Sequence, residues 1–122
     1  MRPKKITIVH DMELDEHKRE MLDAVEVVLK RRFEVERIPF DETFFQRMKS
    51  AEFVFNLSTA GGRDSRQLHV PAVLDLMGVP YTASSALAHA LCIDKSVTKI
   101  VLQHSGIPTP RFSVVKPGDR LE

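Results

Sequence analysis

The apolar pattern of this chain switches period repeatedly, from short β-rich runs to helical stripes and back, and that alternation restricts the fold more than composition does. Residues 4–9, KKITIV, form a β-branched run that reads as a buried strand. Residues 15–32 then place Met21, Val25, Val28 and Leu29 on one stripe, predicting a helix with Lys18, Arg19, Glu20, Glu26 and Lys30 outside it. Residues 33–38 alternate, with Phe33, Val35 and Arg37 on one face, and predict a second strand that Pro39 ends. A short helix over 41–50, capped by Asp41, buries Phe44, Phe45 and Met48. EFVFNL at 52–57 is apolar enough for a central strand.

The second half continues the pattern. Val70, Val73, Leu74 and Met77 recur at helical spacing, and Gly78 supplies the left-handed stop. Val79 to Thr82 is a short strand in which Pro80 suits only the first position or an edge. Ser84 and Ser85 can cap an Ala/Leu-rich helix, and Asp94 a second one whose apolar residues are Val97, Val101 and Leu102. Gly106 ends it, Pro108 and Pro110 prevent its continuation, and a last extended run covers 111–115. Alternating strands and helices imply parallel neighbours joined by crossovers. The expected fold is therefore α/β in three layers: a mostly parallel sheet of about four strands with helices on both faces, a doubly wound half-Rossmann. Ligands in such sheets lie beyond the carboxyl ends of the strands, which puts 10–14 and 58–66 on one rim.

Bulk properties narrow the function classes. At 122 residues the chain suits one domain over 1–107, with 108–122 starting a link to another. A net charge of +1 gives no field that favours nucleic acid or an anionic membrane. No apolar run approaches a membrane span and no signal-peptide core opens the chain. One cysteine excludes an internal disulfide, so a reducing cytoplasm is the default location. The five histidines show no spacing that brings two onto one helical face, which argues against a zinc or iron site.

Several residues carry two readings each. Lys95 at a helix start is either a solvated neighbour of the capping Asp94 or a phosphate contact, since the helix end and the ammonium both favour an anion. STAGGRDSR at 58–66 is either a polar turn or a rim in which Gly61 and Gly62 allow close backbone approach and Arg63 and Arg66 supply forked donors. It is not a Walker loop, because no Gly-Lys-Ser/Thr follows. Glu16 is a first-turn acid favoured by the helix dipole. Cys92 reads as a small buried hydrophobe, Tyr81 as a packed ring with a bonded hydroxyl, and Lys18-Arg19 as part of a solvated face.

Taken together, GVPYTASSALAHALCIDKSVTKIVLQHSGIPTPRF at 78–112 resembles the segment that closes the N-terminal, pre-ATP-grasp domain of D-alanine-D-alanine ligases and related ATP-grasp ligases. The matching pieces are a GIPYTGS-like run at 78–84, the Ala/Leu helix at 86–91, Asp94-Lys95 with Thr98-Lys99, and a GIPTPRF-like exit at 106–112. The likeness extends upstream through VFNLSTAGGRDSRQLHVPAVLDLMG. It implies a cytoplasmic enzyme of the peptidoglycan-ligase type that uses ATP and Mg2+ to join a carboxylate and an amine. It implies Lys95 as a contact to ATP phosphate, Gly61, Gly62 and Arg63 on the cleft rim, and Glu16 near the amino group of a first D-amino acid. The magnesium ligands would lie in later domains, so this chain alone is expected to be inactive. Its partners would be the ATP-grasp domain of the same parent and small amino-acid substrates, with pairing of two copies through outer helices also open. Two departures stand out: Ser58-Thr59 follows the third strand where a His-Gly is usual, and Asp11-Met12 replace a Gly-Gly after the first. A ligase with other substrates, or a stand-alone flavodoxin-like module, are the competing readings.

Overall fold

A computed structural model describes residues 3–59 and 66–120. Three parallel strands, β1 (Lys5–His10), β2 (Glu34–Pro39) and β3 (Val54–Asn56), lie in the order β2-β1-β3. The helices are α1 (Glu16–Leu29), α2 (Phe44–Arg47), α3 (His69–Met77), α4 (Ala86–Ile93) and α5 (Lys95–His104). The α/β class and the parallel sheet are as expected, but with three strands instead of about four. Residues 79–82 join β3 only through a single parallel bridge, Val54 to Tyr81. Val54 N–H donates to the Pro80 carbonyl at 2.9 Å and Thr82 N–H to the Val54 carbonyl at 3.0 Å. Proline has no N–H of its own, which shortens what this run can pair. Residues 111–115 form no strand.

Register assigns the two faces of the sheet. Parallel neighbours in register point the same way, and side chains alternate along each strand. Val9, Ile38 and Val54 therefore share one face, where they meet Phe44, Met48, Val70 and Leu74 in the buried core. α2 and α3 thus cover that side. Ile6, Ile8 and Arg37 point to the other, where Arg37 is held by Asp23 and Glu26 of α1. Helices on both faces explain why Ile6, Thr7, Ile8 and Val9 are all buried.

Local chemistry sets the helix ends, with some shifts from expectation. Asp15 caps α1 by accepting from Lys18 N–H at 2.8 Å. α1 stops at Leu29, three residues early, and it buries Leu22 while Met21 and Val28 are exposed. α2 is one turn followed by a 3-10 turn at Met48–Ser50. Asp41 closes a turn on Thr43 N–H and hydroxyl instead of capping the helix, and Phe45 is exposed where burial was expected. Gly78 ends α3 at φ 67°. Ser85 and Asp94 cap α4 and α5. Cys92 is exposed, correcting its reading as a buried hydrophobe, because α4 packs against only part of its circumference and contributes no fully buried residue.

Candidate functional site: the rim at the β1/β3 switch point

The chain leaves β1 toward β2 and returns across it to β3, so the loops after β1 and β3 diverge. Crevices at such switch points are where open α/β sheets bind ligands. Here Asp11 occupies the crevice. It directly follows β1, is 2% exposed, and gathers the start of the loop after β3. Its Oδ1 accepts from Ser58 Oγ at 2.6 Å and from Thr59 N–H at 2.8 Å. Its Oδ2 accepts from Thr59 Oγ1 and from Lys18 Nζ, both at 2.7 Å. Lys18 Nζ also reaches Thr59 Oγ1 at 3.3 Å.

Burial alone would push the Asp11 carboxyl up. Hydrogen bonds from Lys18, Ser58 and Thr59, with the Lys18 charge, outweigh it and hold the pKa at about 2. The same pairing raises the Lys18 ammonium above its ordinary value. A carboxylate this well held is a fixed acceptor and not a proton carrier near neutrality. Chemically, the group ties β1, the first turn of α1 and the loop after β3 into one unit.

Sequence reasoning missed this network. Lys18, read as part of a solvated face, folds back one turn to Asp11, which lies seven residues earlier. Two local signals pointed to it: an aspartate directly after a fully apolar strand, and the Ser-Thr pair directly after EFVFNL. What joins them is a contact across 47 residues, which periodicity does not register.

Of the sequence-predicted residues, Glu16 is the exposed first residue of α1, beside the Asp15 cap. Lys95 is the exposed first residue of α5. The Asp94 carboxylate accepts from Ser96 N–H at 2.9 Å and Val97 N–H at 3.0 Å, which occupies two of the donors an anion at this helix end would use. These bonds lower the Asp94 carboxyl pKa. Among the described residues, no hydrogen bond or ion pair links Glu16 with Lys95. Gly61, Gly62 and Arg63 lie outside the described residues.

The turn between residues 79–82 and α4 closes the other side of β3. Tyr81 packs against the core, and its hydroxyl donates to Asp75 at 2.8 Å. Burial first, and then the Asp75 carboxylate, push the Tyr81 pKa up to about 12. Thr82 Oγ1 accepts from Asn56 N–H at 3.0 Å. Ala83 then takes φ 80°, where the GIPYTGS-like pattern has glycine. Beyond α5, Lys99 Nζ donates to Thr109 Oγ1 at 3.1 Å and to the Pro110 carbonyl at 3.0 Å, and lies 5.2 Å from the Phe112 ring centre.

Among the described residues, no group of three or more His, Cys, Asp or Glu side chains could hold a metal. No helix is long and apolar enough to cross a membrane among them.

Comparison with known proteins gives this geometry its context. No family model matches the chain. It is 44% identical over 70 residues to the uncharacterized protein y4sG of Sinorhizobium fredii, covering 57% of this chain and 21% of that one. It is 33% identical over 91 residues to the D-alanine--D-alanine ligase of Carboxydothermus hydrogenoformans, covering 74% and 29%. The crystal structure of D-alanine--D-alanine ligase from Bacillus anthracis complexed with ATP superposes with a TM-score of 0.74 at 22% identity, covering 99% of this chain and 41% of that one. The chain thus spans less than a third of the length of these curated relatives. Its ligase relatives and its structural neighbours agree, and the chain belongs to the D-alanine--D-alanine ligase family as a counterpart of the N-terminal part of those enzymes.

Proposed function

We propose that this chain is the N-terminal part of an enzyme that uses ATP to join a carboxylate to an amine. In that reaction the carboxylate takes the terminal phosphoryl group of ATP and ADP leaves. The amine then attacks the acyl carbon, inorganic phosphate departs, and an amide bond remains. The observation that carries the reading is 33% identity to a D-alanine--D-alanine ligase across 74% of this chain. The exposed position of Lys95 on the first turn of a ten-residue helix supports its role as a phosphate contact. Glu16 on the first turn of α1, and Gly61, Gly62 and Arg63 in the loop after β3, are proposed to line the cleft. The magnesium and most of the nucleotide grip belong to the part of the relatives that this chain does not span. These 122 residues alone are therefore inactive and bind ATP very weakly.

Titration calorimetry of the isolated chain with ATP tests the last point, and micromolar binding would contradict it. In a full-length parent, Lys95→Ala should raise KM for ATP about tenfold or more; unchanged kinetics would reject the phosphate role. A ligase with other amino-acid or acid substrates is the second reading. It is favoured by Ser58 and Thr59, which are committed to Asp11 where the family pattern has His-Gly. Assaying the parent against a panel of amino acids separates the two.

A further inference from the structure

The hydrogen-bonding capacity of the Asp11 cluster is unevenly spent. Asp11 meets four donors: Ser58 Oγ and Thr59 N–H at Oδ1, and Thr59 Oγ1 and Lys18 Nζ at Oδ2. The Thr59 hydroxyl gives its one proton to Asp11 and accepts from Lys18 at 3.3 Å. An ammonium carries three N–H groups and no acceptor. Lys18 uses two of them on Asp11 and Thr59, and the third has no partner among the described residues. The Lys18 side chain is 31% exposed while that of Asp11 is 2% exposed, so the pair turns its positive end outward. Asp15, which also acts on this charge, has its carboxylate on the Lys18 backbone N–H at 2.8 Å. The outward end lies at the crevice where the loops after β1 and β3 diverge. Its bond to Asp11 already orders a long, flexible stem, so a ligand that meets this ammonium does not bear that entropy cost.

We propose that Lys18 is a specificity-determining residue whose third N–H takes the side-chain carboxylate of an acidic amino acid, so that a dicarboxylic amino acid, and not alanine, is the substrate held at this rim. The proposal rests on the ligase reading above, in its form with other amino-acid substrates. Two observations select the ligand. One spare N–H and one unit of charge match a singly charged carboxylate, whereas a phosphate dianion calls for several donors. The cluster is also built from the residues that set this chain apart, Asp11-Met12 in place of a Gly-Gly and Ser58-Thr59 in place of a His-Gly. Every amino acid carries an α-amino and an α-carboxylate group. Residues peculiar to this chain therefore discriminate on the part that varies, which is the side chain.

The test uses the 122-residue chain, labelled with nitrogen-15, and its Lys18→Arg and Lys18→Met variants. At low temperature the hydrogen-bonded Lys18 ammonium gives its own signal, assigned by its loss in both variants. D-Glutamate and D-glutamine share a shape and differ by one charge. D-Glutamate should shift the Lys18 Nζ signal with an apparent Kd at least about fivefold below that of D-glutamine, the increment of one exposed charge-assisted contact. Followed at the Thr59 amide, the preference should persist in Lys18→Arg and vanish in Lys18→Met. Equal affinity for the two amino acids overturns the proposal, and so does a preference that survives in Lys18→Met. The wild-type titration decides even if Lys18→Met does not fold. ATP turnover by a full-length parent supplied with D-glutamate reports separately on the ligase reading. Charge preference in the chain without turnover in the parent keeps the Lys18 contact and rejects the ligase, whereas turnover without charge preference does the reverse.

Discussion

Asp11 shows how one side chain organises a rim. It is buried, yet every lone-pair direction is engaged, so its charge is stabilised in place. Its folded pKa of about 2 lies below the ordinary 3.8, so it favours the folded state wherever the unfolded carboxyl is ionised. That contribution, about 2 kcal/mol, is complete above pH 5 and disappears as pH falls through the folded value. Asp11→Asn should therefore cost about 2 kcal/mol at pH 7, less than a fully buried pair, because Lys18 can rehydrate. Urea unfolding at pH 7 and at pH 2.5 checks this: the gap between the two proteins should be wide at the first and narrowed to less than about half at the second, which still lies above the folded value. Ala83 makes the opposite case. A side chain at φ 80° is strained, so Ala83→Gly should raise stability by about 1 kcal/mol in the same measurement. The network around Asp11 left only local signs in the sequence, an aspartate after β1 and a Ser-Thr pair after β3, because the contacts that join them and Lys18 form only when β1, β3 and α1 come together.

Among the elements, strands and helices were legible where period and punctuation agreed. α3 runs from His69 to Met77 and stops at Gly78, as its spacing requires. Its C-terminal carbonyls are met by Gly78 and Val79 N–H groups, donating to Asp75 at 3.1 Å and Leu74 at 3.0 Å. No atom lies within 4 Å of where a Cβ on Gly78 would sit, so Gly78→Ala should cost only the backbone term, about 1 kcal/mol, read by thermal unfolding. The buried stripe of α1 was less legible. Met21, Val25, Val28 and Leu29 form a sound helical face on paper, and so do Leu22, Val25 and Leu29. Packing on β1 and β2 chose the second, and no local rule separates two apolar stripes a few tens of degrees apart. The same ambiguity turned Val97 and Val101 outward on α5.

For the molecule as a whole, stability concentrates where β1 and β3 meet α2 and α3. Leu74 is fully buried in that cluster, whereas Leu87 on α4 is 69% exposed. Leu74→Ala should cost about 3 kcal/mol and Leu87→Ala less than about 0.5 kcal/mol, a contrast that denaturant melts of the two variants would reveal. The half built on α4 and α5 contributes no fully buried residue, so it adds little to the cooperative core.

The terminal position of β2 in the sheet has a consequence for self-association. Glu34 and Phe40 N–H groups bond to β1, so by alternation the donors that point away from the sheet are those of Val35, Arg37 and position 39. Position 39 is proline and donates nothing. A foreign strand seeking to extend this sheet would find only two outward donors before the proline, so templated stacking into fibrils is disfavoured along this margin.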